Sequence, residues 1–382
     1  MVLKLCSIGL LKIAIVLFFL SCSNESPPTA PDPTLAERFQ KALDDGIIKY
    51  NGKGMSVAVI IPGCDMWVGT SGISHGTTPI TADMLFSAGS ITKMFTSSTI
   101  MQLAEENKLS LDDSLYKWIP NYSNIDNDIT IRQLLNHTSG LYDVADNTQF
   151  FDAIFFDQNK IWTFEEILNE YILEPYFEKG TGWHYSNTNY IILREIIRQV
   201  TNSALSTQYR NRFLNPLNLN RTFLAQEEIL QVPIAHGWHD LNNDGSYEEL
   251  PENSMTSFYS AAGGGIFSSA EDLAKWVNYL FHDCTAVNTQ ILEQMINFYS
   301  PIPDQPLLSG YGLGVEKFNP QLFNGLEIWG HGGDPVGYAA GCFYIPQYGV
   351  SIAIMDNTGG GNTMDVIFDI VVILTNYLEK RS

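Results

Sequence analysis

Ser90 and Lys93 lie three residues apart in Phe86-Ser87-Ala88-Gly89-Ser90-Ile91-Thr92-Lys93, and an apolar run follows them. Side chains at this spacing share a helix face, so a helix opening here brings the Lys93 amine within reach of the Ser90 hydroxyl. A free serine hydroxyl is a weak nucleophile that needs such a partner. The positive end of a helix also favours an alkoxide and supplies a backbone N–H for an oxyanion. Ser-x-x-Lys alone is common by chance. Two further segments give it company. Tyr185-Ser186-Asn187 lies between the turn Gly180-Thr181-Gly182 and a helical pattern, where a phenol can relay a proton and an amide can hold a substrate carbonyl. His331-Gly332-Gly333 ends an extended run, and its glycines let a substrate lie along the strand edge. The N–H of Asp334 then stands as a second oxyanion donor.

The elements that must position these groups follow from periodicity. Leu35, Phe39, Leu43 and Ile47 predict a helix over 34–49, and residues 55–62 with 65–70 predict a hairpin. From about 84 to 300 the pattern is mostly helical, including 163–171, 187–200 and 270–281. Extended runs follow at 326–331, 338–345 and 349–355, then a final helix over 363–379. Strands near both termini with helices between them predict an α/β domain over 34–382: an antiparallel sheet built from both chain ends and flanked by helices, with an inserted, mostly helical subdomain.

In this order and at these separations, Ser-x-x-Lys, Tyr-x-Asn and His-x-Gly resemble the serine β-lactamase-related group. That group includes class C β-lactamases, D-alanyl-D-alanine carboxypeptidases, D-aminopeptidases and several esterases, built on a penicillin-binding-protein-like fold. The likeness extends over roughly 35–380. It takes in residues 131–141 (IRQLLNHTSGL), 185–193, Ala262-Gly263-Gly264-Gly265 with Ser269 to Leu273, and Tyr311-Gly312-Leu313-Gly314. The resemblance implies an acyl-enzyme on Ser90. Lys93 and Tyr185 exchange its proton, Asn187 and the His331–Gly333 strand bind substrate, and the amides of Ser90 and Asp334 form the oxyanion hole. No cofactor is implied. A D-alanyl-D-alanine-type peptide ranks first as substrate, an esterase or weak β-lactamase second, and a sensor that acylates without turnover is the rival of another class. His331 stands where class C β-lactamases carry Lys-Thr-Gly, which argues against efficient β-lactam hydrolysis. No Ser-Asp-Asn element of the class A type is present.

Composition sets the bounds. Hydrophobic residues are 45% and charged residues 16% of the chain, which describes a globular protein. A net charge of -21 leaves no basic surface for nucleic acid. Lys4 and Lys12 precede the apolar run Ile13–Leu20, far shorter than the roughly 20 residues that span a bilayer. Phe19-Leu20-Ser21-Cys22 resembles a lipobox, so residues 1–21 are expected to be a lipoprotein signal, Cys22 the lipidated residue and 22–33 a Pro-rich tether. The expected location is therefore the bacterial envelope, extracytoplasmic and lipid-anchored. Cys64, Cys284 and Cys342 fit no metal or redox spacing and are expected as small apolar residues, with one disulfide among them as the alternative in an oxidising compartment. His137 is expected to pack and not to touch substrate. His236 and His239 with Asp240 lack the rest of a metal ligand set. Residues 240–245 resemble half a calcium loop, but Pro251 stands where its closing Glu belongs, so a polar hairpin turn is expected. Gly263–Gly265 lacks the Lys-Ser or Lys-Thr of a phosphate loop.

Overall fold

The computed structural model describes residues 33–380 except 158–159, 226, 231, 251–264, 304 and 362. The expected signal, Cys22 and residues 23–32 of the expected tether lie outside the described residues, as do Ala262, Gly263 and Gly264. The chain opens with α1 (Pro33–Lys49), then β1 (Gly54–Ile60), β2 (Trp67–His75) and β3 (Thr78–Pro79). After β4 (Phe86–Ser87) come α2 (Thr92–Glu105), α3 (Ile131–Leu135), α4 (Thr148–Phe156), α5 (Phe164–Glu170), α6 (Asn187–Thr201) and α7 (Leu205–Tyr209). Short strands β5 (Thr222–Leu224), β6 (Gly237–His239), β7 (Glu248–Leu250) and β8 (Ile266–Ser268) precede α8 (Ala270–Val277) and α9 (Thr289–Met295). The chain closes with β9 (Leu308–Tyr311), β10 (Glu316–Phe318), β11 (Trp329–Gly333), β12 (Ala339–Ile345), β13 (Val350–Asp356) and α10 (Thr363–Leu378).

The large sheet runs β3-β2-β1-β13-β12-β11-β10-β9, every neighbouring pair antiparallel. Its centre is the β1–β13 pair, with Val57 opposite Ile354. The predicted sheet built from both chain ends is therefore the observed one. Both central strands bury residues on each face, which explains their near-continuous apolar runs. One face packs on α1 and α10 through Leu35, Phe39, Leu43, Val366, Ile370 and Leu374. The other face joins the helical region, whose core includes Ile91, Phe95, Leu134, Tyr190 and Trp276.

Caps set several boundaries of that region. Thr130 with Gln133 and Thr163 with Glu166 form capping boxes at α3 and α5, and Ser269 accepts the Asp272 N–H at the start of α8. The segment 84–300 is less purely helical than its pattern suggests. It carries the three-stranded sheet β4-β8-β5 and the hairpin β6-β7. These strands are two or three residues long, too short for a period-two signal to register. The same reason hides β10.

Candidate active site

Ser90 lies half-buried on the single 3₁₀ turn Gly89–Ile91 that leads into α2. The turn is held from three sides. Thr92 Oγ1 donates to Gly89 O at 2.7 Å and accepts from Gly265 N and Ile266 N, and Ala88 N donates to Ile266 O at 2.9 Å. Gly89 has φ +51° beside Pro335, whose Cδ would be 2.8 Å from an added Cβ. Only glycine meets both demands. On β11 a Cβ at Gly333 would stand 2.2 Å from Ala88 O and 3.4 Å from Ser90 N. This close approach brings the Asp334 amide to the Ser90 turn, since a Cβ on Gly89 would lie 3.4 Å from Asp334 N.

Lys93, one residue into α2, is fully buried. Its Nζ donates to Ser90 Oγ at 2.8 Å and to Asn187 Oδ1 at 2.7 Å. Burial drives its pKa from 10.5 down to about 7, against the opposing pull of the Asp143 and Glu316 carboxylates. At neutral pH a large fraction of the amine is therefore unprotonated and able to accept a proton. Tyr185, in the loop before α6, donates its phenol to Ser90 Oγ at 2.8 Å. Burial raises its pKa well above 10, so it remains a neutral donor.

Asn187 is the first residue of α6. Its N–H and Nδ2 donate to Asp143 at 2.9 and 3.1 Å, which turns Oδ1 toward Lys93 and fixes the amide orientation. Asp143 also caps the turn Val144–Asp146, and burial raises its pKa.

His331 reaches the wall of the site from β11 with its nitrogens already engaged. Nδ1 donates to Gly332 O at 2.6 Å, so Nε2 accepts the Tyr311 hydroxyl at 2.9 Å. Burial pushes its pKa down to about 3, and the ring is neutral.

These groups face a cavity of about 640 Å³. Ser90, Tyr185, Asn187, His331, Gly333 and Asp334 all line it, with Lys93 behind Ser90. Phe151, Trp183, Leu308, Phe318 and Met364 give it an apolar side. Sequence reasoning missed Asp143 and Glu316. The signal for Asp143 is slight; Glu316 follows Tyr311-Gly312-Leu313-Gly314 as an acid in an apolar run.

The other candidates lie apart. His137 is buried with φ +62°, and its Nδ1 accepts from Ser186 N and Asn189 Nδ2. Its ring stands 4.4 Å from Tyr185 and 4.7 Å from Tyr311, so it packs behind the tyrosines. His236 pairs with Glu249 at 2.7 Å and stacks on His75. Asp240 accepts the N–H groups of Asp244 and Gly245 within the β6–β7 turn. Among the described residues no group of three metal-ligating side chains occurs, and no helix is long and apolar enough to cross a membrane. Cys342 is buried and Cys64 and Cys284 half-buried, and all three are unpaired.

A serine at a helix entrance, held by a buried lysine and a buried tyrosine beside a Gly-rich strand, defines a serine hydrolase site on the β-lactamase/transpeptidase fold. The chain belongs to the Beta-lactamase family, whose model matches residues 35–374. It is similar to the solved D-stereospecific amidohydrolase from Streptomyces sp., at 29% identity and TM-score 0.77, covering 88% of this chain and 98% of that one. The D-amino acid amidase from Ochrobactrum anthropi SV3 shares the fold at 24% identity and TM-score 0.78, over 91% of this chain and 100% of that one. Curated relatives include the Unguisins hydrolase ungD' of Aspergillus campestris, 26% identical over 86% of this chain, and Penicillin-binding protein 4* of Bacillus subtilis, 29% identical over 54%. The chain spans 62% and 47% of the length of these two relatives.

Proposed function

We propose that the protein hydrolyses an amide or ester of a D-configured amino-acid or peptide substrate through an acyl-enzyme on Ser90. The observation that carries this reading is the Ser90 Oγ held at 2.8 Å from both Lys93 Nζ and Tyr185 OH. Neutral Lys93 takes the hydroxyl proton as Oγ bonds to the substrate carbonyl carbon. The oxyanion forms against the N–H groups of Ser90 and Asp334. The proton passes through Tyr185 to the leaving nitrogen or oxygen as its bond to carbon breaks, and water then releases the acyl group by the same exchange in reverse. Asn187 orients both Lys93 and the substrate carbonyl.

The likeness to a D-stereospecific amidohydrolase supports the D configuration. Within this range lie carboxypeptidase cleavage of D-alanyl-D-alanine ends, aminopeptidase-like cleavage, and ester hydrolysis. The lipobox-like Phe19–Cys22 supports an envelope location with a lipid on Cys22.

Intact-protein mass spectrometry tests the mechanism after incubation with a fluorescent penicillin and, separately, with p-nitrophenyl acetate. A covalent adduct in the wild type and none in Ser90→Ala is the expected result. An adduct retained by Ser90→Ala refutes it. Decay of the adduct with multiple turnovers identifies a hydrolase, whereas one stoichiometric burst identifies a sensor.

A further inference from the structure

The cavity wall carries a one-sided charge pattern. Glu316 and Asp334 line it, and among the described residues no Lys or Arg does. His331, the basic side chain of the wall, is neutral with both nitrogens occupied. Lys93 stands behind Ser90, directed at Ser90 and Asn187. The residues left undescribed between 158 and 362 include no Lys, Arg or His, so they bring no cation to the cavity wherever they lie.

The two carboxyls differ. Asp334 accepts the Gly360 N–H, and this contact ties it to the loop after β13. Glu316 reaches the cavity from β10 with a side chain 12% exposed. Its Oε2 accepts the Gly332 N–H at 2.7 Å. Its Oε1 has no hydrogen-bond donor among the described residues. The basic atom nearest it on the wall, His331 Nδ1 at 3.6 Å, already gives its proton to Gly332 O. Burying a carboxylate is costly, and a cation that meets its cavity-facing oxygen offsets that cost. Burial raises the Glu316 pKa to about 7 against the pull of Lys93, in line with that cost.

Taking the acyl-enzyme reading above as its basis, we infer that Glu316 is a specificity-determining residue that receives a positively charged amino group of the substrate, while the cavity rejects substrates bringing a carboxylate. Cleaving the last residue from a peptide with a free C-terminus would set the departing residue's carboxylate in a cavity lined by Glu316 and Asp334, with no cation in the wall to offset it. An amino-acid amide or ester with a free amine brings the charge that Glu316 lacks. The carboxypeptidase end of the range is thereby disfavoured, and the amine-bearing amides and esters are selected.

The test compares kcat/KM at about pH 7.5 for p-nitrophenyl esters of D-alanine, acetic acid and succinic acid, which bring an ammonium, no charge and a carboxylate. Wild-type protein should prefer them in that order. Glu316→Gln, which keeps an oxygen for the Gly332 N–H, should lower the ammonium-to-carboxylate ratio at least about tenfold, and Glu316→Lys should invert it. A ratio is independent of how much of a variant is folded. A wild type indifferent to substrate charge, or a ratio unmoved in Glu316→Gln, overturns the inference with the acyl-enzyme reading intact. Turnover of p-nitrophenyl acetate by Ser90→Ala at the wild-type rate overturns the acyl-enzyme reading itself.

Discussion

Replacing Lys93 with Met should abolish acylation and at the same time stabilise the fold. The wild-type side chain is fully buried with a pKa near 7, against 10.5 for the ordinary amine. Holding it protonated inside the protein costs about 5 kcal/mol, since each pH step between those two values is worth roughly 1.4 kcal/mol. Met fills a similar volume without that cost. The variant also loses the hydrogen bonds that Nζ gives to Ser90 and Asn187, which offsets part of the gain, leaving on the order of 2 kcal/mol at pH 7. The pH dependence is the sharper signature. Folded Lys93 releases its proton near pH 7 and the unfolded chain only near 10.5. Between these values the unfolded state binds more protons, so wild-type stability rises with pH. The advantage of Lys93→Met should be largest below pH 7 and, above it, shrink by about 1.4 kcal/mol with each further step in pH. Urea unfolding of both proteins at intervals from pH 6 to 9 measures this gap. A gap that stays flat with pH, or a variant less stable than wild type at pH 6, refutes the claim that a charge-intolerant site holds Lys93.

Three other outcomes are expected. Tyr185→Phe keeps the ring packing against His137 but removes the proton relay, so kcat should fall about 10²–10⁴-fold with the melting temperature nearly unchanged. Asp143→Asn sets an amide N–H against Asn187 Nδ2, which releases the Asn187 carboxamide from its orientation; kcat/KM should fall about tenfold to a hundredfold, and the pH at which activity rises should move below 7 because Lys93 loses a stabilising charge. Gly333→Ala drives a Cβ to 2.2 Å from Ala88 O, so β11 must part from the Ser90 turn and kcat for p-nitrophenyl acetate should fall at least about tenfold.

Much of the site was legible because it rests on local chemistry. Ser90 and Lys93 share a helix face through spacing alone, and Tyr185 and Asn187 occupy a turn and the helix start that follows it. The sheet was legible because β1, β12 and β13 are buried on both faces and read as unbroken apolar runs. Asp143 and Glu316 were not legible, because an acid next to a turn or in a three-residue strand reads as a solvated side chain. Their burial is a tertiary fact: Asp143 is enclosed by α6 and its own turn, and Glu316 by β11. The charge of the cavity depends on which side chains converge there from distant parts of the chain, and no local pattern encodes that.

The β1–β13 pair at the centre of the large sheet joins residues about three hundred positions apart, Val57 to Ile354. Closing so long a loop costs entropy before any contact returns it, so this pairing is expected to be a slow, late step of folding. Strand β11, which carries one wall of the site, joins β1 within the sheet through β12 and β13. As the chain emerges from synthesis, Ser90, Lys93 and Tyr185 are made long before the strand that completes their cavity. Ser90 is therefore without its β11 wall until nearly the whole chain is free, and under the acyl-enzyme mechanism proposed above its reactivity should arrive with the last strands.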